Sequence, residues 1–167
     1  MMPTSEIFLP AAADTEAAGS RLAPCLEGGM IVTLSGELGA GKTTLTRGCL
    51  RALGWQSSVK SPTYTIVEHY LFSSLYFYHI DFYRFTDPDE WETAGVADCF
   101  RPDAVCLVEW PERVGAHLPP ADVALRLLYP SDPDGIGRYL AAAAHGVRGD
   151  RCVSAMTAAP ALRAVPR

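Results

Sequence analysis

Gly36-Glu37-Leu38-Gly39-Ala40-Gly41-Lys42-Thr43 satisfies GxxxxGK[ST] at every defined position, and its flanks supply the context that the pattern requires. Before it runs Met30-Ile31-Val32-Thr33-Leu34-Ser35, an apolar, β-branched stretch with the character of a strand buried on both faces. After it, Thr43 to Leu53 reads as a helix closed by Gly54. Gly36, Gly39 and Gly41 permit backbone angles and close approaches that a Cβ obstructs. Successive amides then point inward as an anion cradle, reinforced by the helix N-terminus. The cradle spans Glu37, Leu38, Gly39, Ala40, Gly41, Lys42, Thr43 and Thr44. Lys42 offers a compact charge to β and γ phosphates, and Thr43 offers a hydroxyl to Mg²⁺. Lys42 is one of only two lysines, the other being Lys60, in a chain that otherwise uses arginine.

The remaining elements build an α/β fold around that unit. Glu6-Ile7-Phe8-Leu9 reads as a short strand stopped by Pro10, and Asp14 as the cap of a helix that Gly28-Gly29 ends. Thr65–Leu71 and Leu75–Ile80 form a hairpin across Ser73-Ser74. Asp87-Pro88-Asp89-Glu90 opens a short helix as a capping box, and Gly95 closes it. Ala104-Val105-Cys106-Leu107-Val108 is a second fully apolar strand, and strands over about Asp122–Tyr129 and Arg138–Ala144 flank a Pro/Asp/Gly turn. Early strands alternating with helices, then antiparallel strands, indicate a three-layer fold with a mixed, centrally parallel sheet between helices. With 167 residues the chain suits one domain, placed at 1–146. The Ala-, Pro- and Arg-rich remainder, 147–167, reads as a basic, loosely ordered tail.

Charge and cysteine usage narrow the partners. Residues 61–120 carry ten acids and three bases, a local charge of −7 that opposes direct nucleic-acid binding. Basic residues gather only in the tail, at Arg148, Arg151, Arg163 and Arg167. No stretch is apolar enough to span a membrane, and Glu6 and Asp14 make the N-terminus unlike a secretory leader. Five widely spaced cysteines without a CxxC pattern suit reduced thiols in a cytoplasm better than a zinc site.

Further positions are candidates for chemistry. Glu109 ends an apolar strand, where a P-loop site places its second metal-side carboxylate, though a strand-terminal Glu is also a common solvated residue. Asp81 ends another strand, where it either orients attacking water or starts a turn and pairs with Arg84. His79 shares the Asp81 face and reads as packed. In Lys60-Ser61-Pro62-Thr63-Tyr64-Thr65, the hydroxyls of Thr63 and Thr65 either reach Mg²⁺ or the γ-phosphate or simply enter a strand.

These residues together resemble the TsaE (YjeE) family, the small P-loop ATPases of bacterial threonylcarbamoyladenosine biosynthesis on tRNA. The resemblance rests on GELGAGKTTLTRG at 36–48, VKSPTYTIVE at 59–68, HIDFYR at 79–84 and VEWPER at 108–113. TEAAGSRLA at 15–23 and DPDEWETAG at 87–95 add weaker support, and the whole covers roughly residues 6–146. It implies ATP and Mg²⁺ as cofactors, with Lys42 and Thr43 on phosphates and metal and Glu109 as the second metal-side ligand. It further implies that Asp81 serves hydrolysis, that Thr63 and Thr65 belong to a switch-like segment, and that Trp110 lies near the nucleotide. Pro10 and Arg138 would approach the adenine. TsaB- and TsaD-type proteins would be the partners, with tRNA engaged only indirectly. The competing expectation is a small-metabolite kinase on the same P-loop, although no arginine cluster resembles the lid such kinases close over an acceptor.

Overall fold

The computed structural model describes residues 4–158. Seven strands form one sheet: β1 (Thr4–Leu9), β2 (Ile31–Ser35), β3 (Val67–Leu71), β4 (Tyr76–Asp81), β5 (Ala104–Glu109), β6 (Val123–Leu128) and β7 (Arg138–Ala144). Their spatial order is β1-β7-β6-β2-β5-β4-β3. The centre is parallel: β2 lies between β5 and β6, and β4 lies beside β5. Antiparallel pairs finish both sides, β3 on β4 at one and β6-β7-β1 at the other.

Alternation along the strands divides the core between the two faces. One face joins Val32, Leu34, Phe77 and Leu107 to Ala18 and Leu22 of α1 (Ala12–Leu22) and to Leu45 and Leu50 of α2 (Lys42–Ala52). The other joins Ile80, Cys106 and Val108 to Phe82, Phe85 and Trp91, the last on α3 (Glu90–Ala94). Helices on both faces of a mixed sheet make the three-layer P-loop fold. Burial pushes the Cys49 and Cys106 thiols up to about 12, so both behave as small apolar core residues.

The close contact of α1 with α2 depends on small residues. A Cβ on Gly48 would lie 1.9 Å from the Glu16 carbonyl oxygen, a backbone atom that cannot yield cheaply. Gly48→Ala is therefore expected to destabilise by about 1–3 kcal/mol through overpacking. That corresponds to a Tm lower by about 2–4 °C per kcal/mol in a domain of this size. An unchanged Tm would show that the helices separate freely.

Several boundaries differ from the sequence expectation for identifiable reasons. α1 ends at Leu22, not at Gly28-Gly29, because Pro24 lacks an N–H, and a 3₁₀ turn over Ala23–Cys25 follows. Asp14 sits inside α1 and serves its first turn by accepting from the Ala11 N–H at 3.0 Å. The hairpin starts at Val67, not Thr65, because Ile66 takes φ +66 and its N–H donates to the Pro62 carbonyl at 2.7 Å.

The largest correction concerns the tail. Gly146–Thr157 forms helix α4, which buries Gly149, Cys152, Val153 and Met156. Arg148 pairs with Asp122 at 3.0 Å, and Arg151 with Glu27 at 3.4 Å, so these arginines anchor the helix. Arg163 and Arg167 lie outside the described residues. Among the described residues no helix is long and apolar enough to cross a membrane.

Candidate functional site

Three parallel strands bring their carboxyl ends to one edge of the sheet. The register sets Asp81 of β4 opposite Glu109 of β5, and Glu109 opposite Leu34 of β2, just before the glycine-rich loop. Ligands of open α/β sheets settle at this edge. Gly41 stands at the N-cap of α2 with φ +107, a conformation that L side chains rarely adopt. It turns the chain directly from the loop into the helix, so Lys42 and Thr43 open the first turn.

A cavity of about 400 Å³ lies where these elements meet. Leu38, Gly39, Gly41, Lys42, Thr43 and Thr44 line it from the loop and α2, and Asp81, Glu109 and Trp110 line it from the strand ends. Glu37 instead borders a larger groove of about 560 Å³ shared with Trp110 and Tyr129. Pro10 and Arg138 border a third cavity of about 260 Å³, which Ala40 also lines and which shares Gly39, Gly41 and Thr44 with the first. Arg138 stacks over the Tyr129 ring at 4.1 Å and donates to the Gly137 carbonyl at 2.6 Å.

Each charged side chain at the cavity is held. Lys42 Nζ donates to the carbonyls of Gly36 at 2.7 Å and Glu37 at 2.9 Å and lies 4.7 Å from the centre of the Trp110 ring. Burial pushes the Lys42 ammonium below its ordinary range, and Glu109, Asp81 and Glu112 partly oppose that shift. Asp81 accepts from the Tyr83 N–H at 2.8 Å through Oδ1. Its Oδ2 accepts from the hydroxyls of Ser61 at 3.2 Å and Thr63 at 3.3 Å. Glu109 is buried and shares a 2.8 Å hydrogen bond with His79 Nε2 through Oε1.

Among the described residues no trio of His, Cys, Asp or Glu side chains is arranged to hold a metal alone. Mg²⁺ commonly keeps several waters and binds through one or two protein groups plus substrate phosphates. A hydroxyl at Thr43 and a carboxylate at Glu109 on one cavity fit that demand, and a glycine-rich loop entering a helix N-terminus beside a buried lysine fits a polyphosphate.

The family model described as Threonylcarbamoyl adenosine biosynthesis protein TsaE matches residues 9–134, which span the loop, Asp81 and Glu109. The chain belongs to the TsaE family. The tRNA threonylcarbamoyladenosine biosynthesis protein TsaE of Haemophilus influenzae is 48% identical over 110 residues, covering 66% of this chain and 70% of that protein. Its Bacillus subtilis counterpart is 42% identical over 106 residues, 64% of this chain and 66% of that protein. The crystal structure of Bacillus subtilis YdiB superposes with a TM-score of 0.77 at 28% identity, covering 94% of this chain and 96% of that one.

Within this TsaE-family site, some side chains lie elsewhere than expected. Thr65 turns away from the cavity and donates to Glu68 at 3.2 Å, because the turn ending at Ile66 rotates it outward. Among the described residues, Arg84 forms no ion pair with Asp81 or with the acids at 87–92. Its guanidinium lies 4.1 Å over the exposed Tyr64 ring. Ser61 is the residue that sequence reasoning missed: its hydroxyl bonds both Thr63 Oγ1 at 2.9 Å and Asp81. Its place before Pro62 signalled only extended backbone.

Proposed function

We propose that this chain binds ATP with Mg²⁺, hydrolyses it, and thereby drives or resets the protein complex that installs threonylcarbamoyl on adenosine in tRNA. The observation that carries this reading is the convergence of Lys42, Thr43, Asp81 and Glu109 on one cavity at the carboxyl ends of β2, β4 and β5. The pathway comes from the names of the Haemophilus and Bacillus relatives. The backbone amides of 37–44 and the Lys42 ammonium hold the phosphates, Lys42 exchanging the carbonyls of Gly36 and Glu37 for phosphate oxygens. Thr43 and Glu109 would hold Mg²⁺, which when bound would neutralise phosphate charge. Asp81, steadied by Ser61, Thr63 and the Tyr83 amide, accepts a hydrogen bond from the attacking water and aims it. Pro10 and Arg138 border the adenine side, and Trp110 flanks the phosphates.

TsaB- and TsaD-type proteins of the cytoplasm are the partners in this reading, and tRNA is reached through them. The −7 segment at 61–120 disfavours tight contact of this chain with a phosphate backbone. The direct test is phosphate release from ATP and Mg²⁺ with no acceptor present. Slow, Mg²⁺-dependent release is expected. Transfer to a small hydroxyl compound without hydrolysis would indicate a kinase, and tight binding without release would indicate a nucleotide-gated binding module.

A further inference from the structure

His79 is fully buried on β4, and it lies on the sheet face that carries α2. The parallel register pairs His79 with Leu107 and Asp81 with Glu109, so all four share that face. Its imidazole reaches diagonally across to Glu109, Nε2 to Oε1, at 2.8 Å. The other nitrogen, Nδ1, is buried and has no hydrogen-bond partner among the described residues. This asymmetry assigns the tautomer from the hydrogen-bond network. With the proton on Nε2, the ring donates to the carboxylate and leaves a bare acceptor at Nδ1. The reverse arrangement would bury an unpartnered N–H. Among the described residues Glu109 Oε2 has no hydrogen-bond partner, while Glu109 lines the cavity beside Thr43 and Asp81.

We propose that His79 is a positioning residue for Glu109: its Nε2–H fixes one carboxylate oxygen so that the other is presented to the cavity for Mg²⁺. The inference rests on the ATP–Mg²⁺ reading above and assigns His79 a task that its burial alone does not. An apolar residue of similar size would fill the same space and leave a Glu109 carboxylate, almost wholly out of water, without a donor. Outer-shell donors of this kind orient metal-side carboxylates, and their loss commonly costs about 10–100-fold in metal affinity.

The test is calorimetric titration of ATP into the full chain at a series of Mg²⁺ concentrations, for wild type, His79→Leu, His79→Asn and His79→Gln. Circular dichroism checks the fold of each. Wild type should bind ATP more tightly as Mg²⁺ rises. In His79→Leu the Mg²⁺ concentration giving half the effect should rise about 10–100-fold, with Mg²⁺-free ATP affinity unchanged. His79→Gln places an amide N–H near the Nε2 position and should recover most of the response, whereas the shorter His79→Asn should not. Should His79→Leu fail to fold, the contrast between Gln and Asn decides the matter. A Mg²⁺-responsive wild type with an unaltered response in His79→Leu or His79→Asn overturns the positioning role alone. Equal loss of Mg²⁺-free and Mg²⁺-bound affinity in Gln and Asn also overturns it, since that is what simple packing predicts. A wild type indifferent to Mg²⁺ overturns the metal reading itself.

Discussion

Lys42→Ala is expected to weaken ATP binding by about 30- to 4,000-fold, the range that follows when a buried, charge-assisted contact worth about 2–5 kcal/mol is removed. The amides of the loop would remain, held by Gly41 at φ +107 and by the α2 N-terminus. Among the described residues, the only buried cation on the phosphate side would be gone. Lys42 already sits against its own loop carbonyls, with Glu109 and Asp81 as the nearby charges that favour its ammonium form. Removing it leaves two carboxylates facing an incoming polyphosphate, a repulsive arrangement. Titration calorimetry with ATP reads the loss directly. Wild-type affinity in Lys42→Ala would contradict the assignment of the loop.

Glu109→Ala and Asp81→Ala are expected to separate metal binding from hydrolysis. Glu109→Ala should abolish most of the Mg²⁺ dependence of ATP binding. Asp81→Ala should leave ATP affinity nearly intact and lower hydrolysis by about 10²–10⁴-fold, the range typical of a lost general base. The difference follows from what holds each carboxylate. Asp81 is braced by the hydroxyls of Ser61 and Thr63 from the segment before the hairpin, which suits a water-orienting group. Glu109 is locked by a histidine within the sheet, as a metal-side ligand requires. Mg²⁺ titrations paired with single-turnover phosphate release distinguish the two. An unchanged Mg²⁺ response in Glu109→Ala would remove it from the metal shell.

The contiguous part of the site was legible in the sequence because glycine positions, lysine and threonine lie within one turn of chain, after a strand whose apolar run is unambiguous. The pairing of Asp81 with Glu109 was legible only as two strand-terminal carboxylates. Their proximity depends on the parallel register of β4 and β5, which no local pattern encodes. The clamp of Ser61 on Asp81 and the contact of His79 with Glu109 were hidden for the same reason. Helix α4 escaped because its core face, Gly149, Cys152, Val153 and Met156, begins on a glycine and is interleaved with Arg148, Asp150 and Arg151, so it does not read as an apolar stripe. A Cβ on Gly149 would lie 2.0 Å from the Asp122 carbonyl, so the glycine that helped mask the helix lets it dock. The hairpin boundary slipped because a β-branched residue, Ile66, adopts a left-handed backbone that propensity argues against.

The proposed coupling of turnover to a partner rests on where the arginines are. P-loop enzymes gain about 10³–10⁵ in rate when an arginine, in cis or in trans, neutralises charge at the γ-phosphate. Here Arg84 is exposed and stacked on Tyr64, and Arg113 donates to the Phe85 carbonyl at 3.4 Å while lying against Tyr83 and Trp110. Neither contacts the phosphate loop among the described residues; Arg138 does, donating to the Gly39 carbonyl at 3.4 Å, but its guanidinium is also held by the Gly137 carbonyl and the Tyr129 ring. The missing charge, or the rearrangement that frees one, is therefore proposed to come from the assembled complex. The decisive measurement is steady-state phosphate release by the chain alone, with a TsaB-type partner, with a TsaD-type partner, and with both. Slow release alone and a rate raised by orders of magnitude with both partners is the predicted result; equal and rapid release in all four conditions would contradict it.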